Sequence, residues 1–121
     1  MPWQFNQTEA VFLQIANRIQ HEIISGKYAP DEQLPSVRQL AAEAAVNPNT
    51  IQRALTHLEE EGLLYTKGTI GRFVTQDLAV IECTRERVRR ETVRHWLSRL
   101  HELGISTEEL IQYIKEEDKL L

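Results

Sequence analysis

Between positions 47 and 53 the chain sets out Asn47, Asn49, Thr50, Gln52 and Arg53: carboxamides, a hydroxyl and a guanidinium within two helical turns. These groups hydrogen-bond the edges of nucleic-acid bases. Asparagine and glutamine can each make two bonds to adenine and arginine two to guanine, with about 1–3 kcal/mol of discrimination for each good pair. Pro48 places the group on a helix. Proline is at home in the first helical position, where its missing N–H costs nothing, and Asn47 before it is a natural N-cap. Polar side chains on the first turns of such a helix suit the reading end of a helix-turn-helix, which enters the major groove of DNA. Taken alone, Asn47 is first a cap; the set together reads as a DNA contact.

Arg38 and the Lys67-Gly68 pair belong to the same chemistry. Ser36 followed by Gln39 forms a capping box that opens a short, alanine-rich helix over Val37–Ala45. Arg38 falls in its first turn, where the helix dipole favours anions. A phosphate or guanine would resolve that conflict, and this outweighs an ion pair with Glu43 or the Glu59-Glu60-Glu61 run. At Lys67-Gly68 a cation beside a glycine lets a thin ribbon approach a groove or phosphate closely; an ordinary exposed turn lysine is the alternative.

The elements that must hold these residues follow from periodicity. Thr8 to Ser25 is predicted to be a helix, with Val11, Phe12, Ile15, Ile19, Ile23 and Ile24 on one apolar stripe and Gly26 as its stop. Pro30-Asp31 is a turn, and Gln33-Leu34 is compatible with a very short strand. The helix capped by Asn47 should run to about Glu61, burying Ile51, Ala54, Leu55 and Leu58 and ending at Gly62. Residues 63–66 and 72–75 are predicted strands, joined through Lys67-Gly68-Thr69-Ile70-Gly71. Beyond Asp77, Val88, Val93, Trp96, Leu97, Leu100 and Leu103 keep helical spacing up to Gly104, and Ser106 with Glu109 caps a last helix. The expected fold is mainly α with a small β-hairpin. A winged helix-turn-helix domain (1–76) precedes a two-helix region (77–121), whose apolar stripe is a dimer seam or a core.

Composition narrows the function. The chain of 121 residues has a net charge of −4. Residues 1–76 hold Arg18, Lys27, Arg38, Arg53, Lys67 and Arg72, four of them inside the helix-turn-helix and hairpin, which favours a selective DNA reader over a bulk nucleic-acid binder. The arginines between 85 and 99 alternate with Glu86 and Glu91 and read as a solvated face with pairs inside the helix. Cys83 is the single cysteine, so neither a disulfide framework nor a cysteine-built metal site is expected. His21, His57, His95 and His101 are scattered without metal-ligand spacing, and no nucleophile or carboxylate pair forms a catalytic constellation. No metal, no cofactor and no enzyme activity are expected. Met1-Pro2-Trp3-Gln4-Phe5 lacks the marks of a leader, and no apolar run is long enough to span a bilayer, so a cytoplasmic location is expected.

One ordered pattern runs through this region: Gly26-x-Tyr28-x-Pro30-x-x-x-Leu34-Pro35-Ser36-x-Arg38-x-Leu40-Ala41, then Asn47-Pro48-Asn49-Thr50-Ile51-x-Arg53-Ala54-Leu55, then Leu58-Glu59-x-x-Gly62-Leu63-Leu64. It resembles the winged-helix domain of GntR-family bacterial transcription regulators over roughly residues 8–76. The resemblance implies that Arg38, Asn47, Asn49, Thr50, Gln52, Arg53, Lys67 and Gly68 meet double-stranded DNA. Many members carry arginine where this chain has Pro48 and Gln52, which implies a different operator. The short tail is similar to that of the YtrA subfamily of homodimers. It implies a dimeric repressor, with any small-molecule effector bound between tail helices or at the seam. The rival reading is a winged helix without DNA binding that docks a protein partner through its tail.

Overall fold

In the computed structural model, which describes residues 2–121, seven elements follow one another. They are α1 (Val11–Ile24), α2 (Val37–Ala44), α3 (Pro48–Glu60), β1 (Leu64–Lys67), β2 (Gly71–Val74), α4 (Leu78–Glu102) and α5 (Thr107–Asp118). Met1, which begins the segment read for a leader, lies outside the described residues. The chain divides into two compact units, one ending at Arg85 and the other Glu86–Leu121.

Local chemistry starts the helices where capping residues stand. Ser36 accepts from the Gln39 backbone N–H while the Gln39 side chain accepts from that of Ser36, a complete capping box on α2. Asn47 Oδ1 accepts from Asn49 N at 2.8 Å and caps α3, with Pro48 in its first position. Ser106 and Glu109 repeat the capping box on α5. The first helix begins at Val11, later than the expected Thr8. Asn6 Oδ1 accepts from both the backbone and the hydroxyl of Thr8, and Gln14 Nε2 donates to the carbonyls of Asn6 and Glu9. Those bonds hold the approach to the helix in a bent path. Val11 is consequently exposed, and Ala16 takes a place on the buried stripe.

The core of the first unit forms where α1, α2 and α3 meet. Ile15, Ile19, Ile23, Leu40, Ile51, Leu55, Leu58, Leu63 and Val74 are essentially sealed from solvent. Trp3 joins them from outside the regular elements, with the Arg18 guanidinium 4.0 Å above its ring. The start of α4 also belongs here: Ile81 enters the core, and Arg85 Nε donates to the Ile24 carbonyl at 2.9 Å. This compact unit extends to Arg85 and takes in the first turns of α4.

The antiparallel hairpin pairs Leu64 with Val74, Tyr65 with Phe73, Thr66 with Arg72 and Lys67 with Gly71. Both strands sit one residue off the expected spans, so Lys67 closes β1 and the tip is Gly68-Thr69-Ile70. The segment before α2 lies along the other edge of β2. Asp31 N donates to Val74 O at 3.0 Å, Val74 N to Glu32 O at 2.9 Å and Leu34 N to Arg72 O at 2.9 Å. Gln33 bridges to Phe73, as the short-strand reading anticipates.

In the second unit no residue of Glu86–Leu121 is buried. Val93, Trp96 and Leu103 are exposed, at 58%, 52% and 76%, while Val88, Leu97 and Leu100 are partly covered. The stripe therefore does not form a core within this unit.

Candidate nucleic-acid interface

The start of α2, the middle of α3 and the hairpin converge on one cleft of about 340 Å³. Gln33, Ser36, Val37, Gln52, Gly68 and Arg72 are among its walls. Of the expected DNA-contacting residues it brings together Gln52 and Gly68, while Arg38, Asn47, Asn49, Thr50, Arg53 and Lys67 lie outside it.

The expected reading residues are not equivalent in this setting. Asn47 uses its side-chain oxygen as the cap of α3. Asn49 is exposed, and Thr50 beside it is half-buried on the same first turn. Gln52 is exposed, and its Oε1 accepts from Arg72 Nη1 at 3.1 Å. Arg53 lays its guanidinium 3.9 Å over the ring of Phe12 on α1, a cation–π contact. Lys67 Nζ stands 5.0 Å from the Phe73 ring centroid.

Arg38 differs from all of these. It is exposed on the first turn of α2 with no hydrogen bond, ion pair or ring contact among the described residues. Pairing with Glu43 or with the Glu59-Glu60-Glu61 run is not what the structure contains. Every other cation of the first 76 residues has a partner: Arg18 and Lys27 share Glu22, Arg53 and Lys67 lie on rings, and Arg72 pairs with Glu59.

Arg72 was counted among the cations placed to meet DNA, and the structure assigns it other work. Its Nε pairs with Glu59 near the end of α3, and Glu59 also accepts from Thr66 Oγ1 at 2.7 Å. Burial by itself raises the Glu59 pKa, but the hydrogen bonds from Arg72 and Thr66 more than offset it and leave the carboxyl below its ordinary value. Thr66 and Arg72 face each other across the hairpin, so this strap ties both strands to α3. A second tie joins Asp31 to the Tyr65 hydroxyl and to Gln76 Nε2, the latter at 3.0 Å. The hydrogen bond from Tyr65, followed by that from Gln76, lowers the Asp31 pKa, and the same contact raises that of Tyr65.

The wing tip is braced from behind. Gln33 Nε2 donates to the Ile70 carbonyl at 2.8 Å. Gly71 has φ +140°, a conformation that favours glycine, and a Cβ there would lie 2.9 Å from Gln33 Nε2 and push that side chain from its place. Gln33 was not foreseen as a wing residue; its one visible signal was the suggested strand at Gln33-Leu34.

Among the described residues no group of three or more His, Cys, Asp or Glu side chains could hold a metal ion. No described helix is long and apolar enough to cross a membrane. In the second unit Arg90 pairs with Glu86 at 2.8 Å and Arg87 with Glu91 at 3.5 Å, both within α4.

The chain is similar to known proteins. Residues 12–74 match the family model described as bacterial regulatory proteins, gntR family. The chain is 32% identical over 112 residues to the HTH-type transcriptional regulator YhcF of Bacillus subtilis, covering 93% of each protein. It is 29% identical to the HTH-type transcriptional repressor YtrA of the same organism, over 88% of this chain and 82% of that one. Among solved structures, a GntR family transcriptional regulator from Listeria monocytogenes superposes with a TM-score of 0.85 at 35% identity, covering 93% of this chain and 98% of the other.

Proposed function

The chain belongs to the GntR family of bacterial DNA-binding transcriptional regulators, and we propose that it acts as a homodimeric repressor of a near-palindromic operator. The family makes it a DNA-binding protein and not an enzyme. In the proposed complex Asn49, Thr50 and Gln52 enter the major groove, with Asn47 holding the helix start. Arg38 meets a phosphate or guanine beside them. Arg53 lies toward the flanking backbone, and Lys67 and Gly68 lie on the adjacent backbone or minor groove. The domain of residues 1–76 does the reading and residues 77–121 join two copies, so half-sites fall about one helical turn apart, or a multiple of it.

The observation that carries this reading is Arg38. A solvent-facing guanidinium at the positive end of a helix, with no partner in its own chain, is placed to take an external anion. Likeness to the repressor YtrA supports the negative sign of regulation and a YtrA-like arrangement of the tail. Any effector is a small molecule of the cytoplasm whose site lies in the tail region.

Titration of promoter DNA from the protein's own operon tests the reading. Binding should weaken with salt along a line whose slope counts the phosphates engaged. Arg38→Ala should cut affinity by at least roughly tenfold, the size of one good base or charged phosphate contact, without changing dimerisation. Absence of binding at low salt would overturn the repressor reading in favour of a protein-docking module. Equal affinity in the variant would remove Arg38 from the site.

A further inference from the structure

A glutamine on the first turns of a reading helix can, when free, offer both an acceptor and a donor, the pair that matches adenine. Gln52 is not free. Its Oε1 accepts from Arg72 Nη1 at 3.1 Å, across from the wing. A guanidinium carries donors and no acceptor, so the orientation of the amide is settled by chemistry. The oxygen faces Arg72, which takes one of its two lone pairs, and the NH2 group is the end turned away from that cation. Arg72 is itself fixed, with its side chain 16% exposed and its Nε on Glu59, which Thr66 also holds. Side chains from α3, β1 and β2 thus form one network with Gln52 at its outer end.

We propose that Arg72 is a positioning residue for base recognition, one that makes Gln52 a reader by donation alone. Guanine shows two acceptors, N7 and O6, on its major-groove edge, whereas adenine requires an acceptor as well as a donor and cytosine offers a donor only. The cation beside Oε1 further disfavours the approach of an adenine or cytosine amino group. Gln52 therefore selects guanine, and the wing sets that selection without touching the base. The inference rests on the proposed placement of α3 in the major groove.

The test is selection from a randomised duplex library by the full-length protein, by Gln52→Leu and by Arg72→Lys. Gln52→Leu identifies the base pair that position 52 reads, as the one where preference disappears. At that pair the wild type should favour guanine over adenine by roughly tenfold, the size of one good contact. Arg72→Lys keeps a cation for Glu59 but loses the fork that reaches Gln52. It should reduce the preference to about threefold or less, or turn it to adenine, while preferences elsewhere and the salt slope stay unchanged. A loss confined to that one base pair would not accompany a merely structural role. A wild-type preference for adenine at the Gln52-dependent pair overturns the inference, whatever Arg72→Lys does. So does an Arg72→Lys protein with the wild-type preference. A Gln52→Leu protein that selects the wild-type sequence at every position takes Gln52 out of base reading and overturns the inference, whereas a wild-type protein that selects no sequence overturns the groove placement on which it rests.

Discussion

Glu59 shows how much one carboxylate can organise. It accepts from Arg72 and Thr66, and those bonds hold its pKa below the ordinary value against the opposing effect of burial. Asp31, held by Tyr65 and Gln76, is shifted in the same direction. In both cases the folded pKa lies below the unfolded one, so the unfolded chain binds more protons as the pH falls. The stabilisation is complete above the unfolded carboxylate value of about 4 and is lost as the pH drops through the folded values. Glu59→Gln should therefore cost about 1 kcal/mol near neutral pH and lessen the fall in stability below about pH 5, as urea unfolding at stepped pH would show. None of this strap was visible from residue types. Thr66 and Arg72 stood on predicted strands and Glu59 on a predicted helix, but their meeting depends on hairpin register. Which face of the hairpin turns toward Glu59 is set by the packing of the hairpin on α3, which residue types do not encode.

At the scale of elements, what sequence revealed best was what a few neighbouring residues decide. The caps at Ser36, Asn47 and Ser106 use side chains within three residues of the groups they satisfy, and each opens a helix where it was expected. The start of α1 escaped because no capping side chain marks it, Ala10 being the N-cap residue. The turn between α2 and α3 carries a cost that only coordinates display: Ala45 has φ 59° and ψ 48°, the left-handed region that a Cβ disfavours. Ala45→Gly should relieve it and raise stability by about 0.5–1 kcal/mol after the loss of chain entropy, measured as a higher urea midpoint at unchanged m-value. Long-range ties such as Gln33 to Ile70 were illegible for the opposite reason. They join residues 37 apart, and no local pattern encodes them.

At the scale of the molecule, the two units have different characters: one seals its apolar side chains, and the other leaves Val93, Trp96 and Leu103 in water. That exposure supports the dimer seam expected from helical spacing, whose partner a single chain cannot supply. On the proposed dimeric arrangement, the protein should sediment as a dimer and Trp96→Asp as a monomer. The substitution should also weaken operator binding by at least roughly tenfold, since two linked heads gain by effective concentration what one head lacks. The same contrast has a spectroscopic meaning. The chain has two tryptophans, Trp3 at 7% exposure in the first unit and Trp96 at 52% in the second. The indole of Trp3 lies in the core beneath Arg18, so its emission follows the integrity of the DNA-reading fold. That of Trp96 starts in solvent and follows whatever covers the tail. Intrinsic fluorescence thus carries two separable signals, one for folding and one for association, without a label.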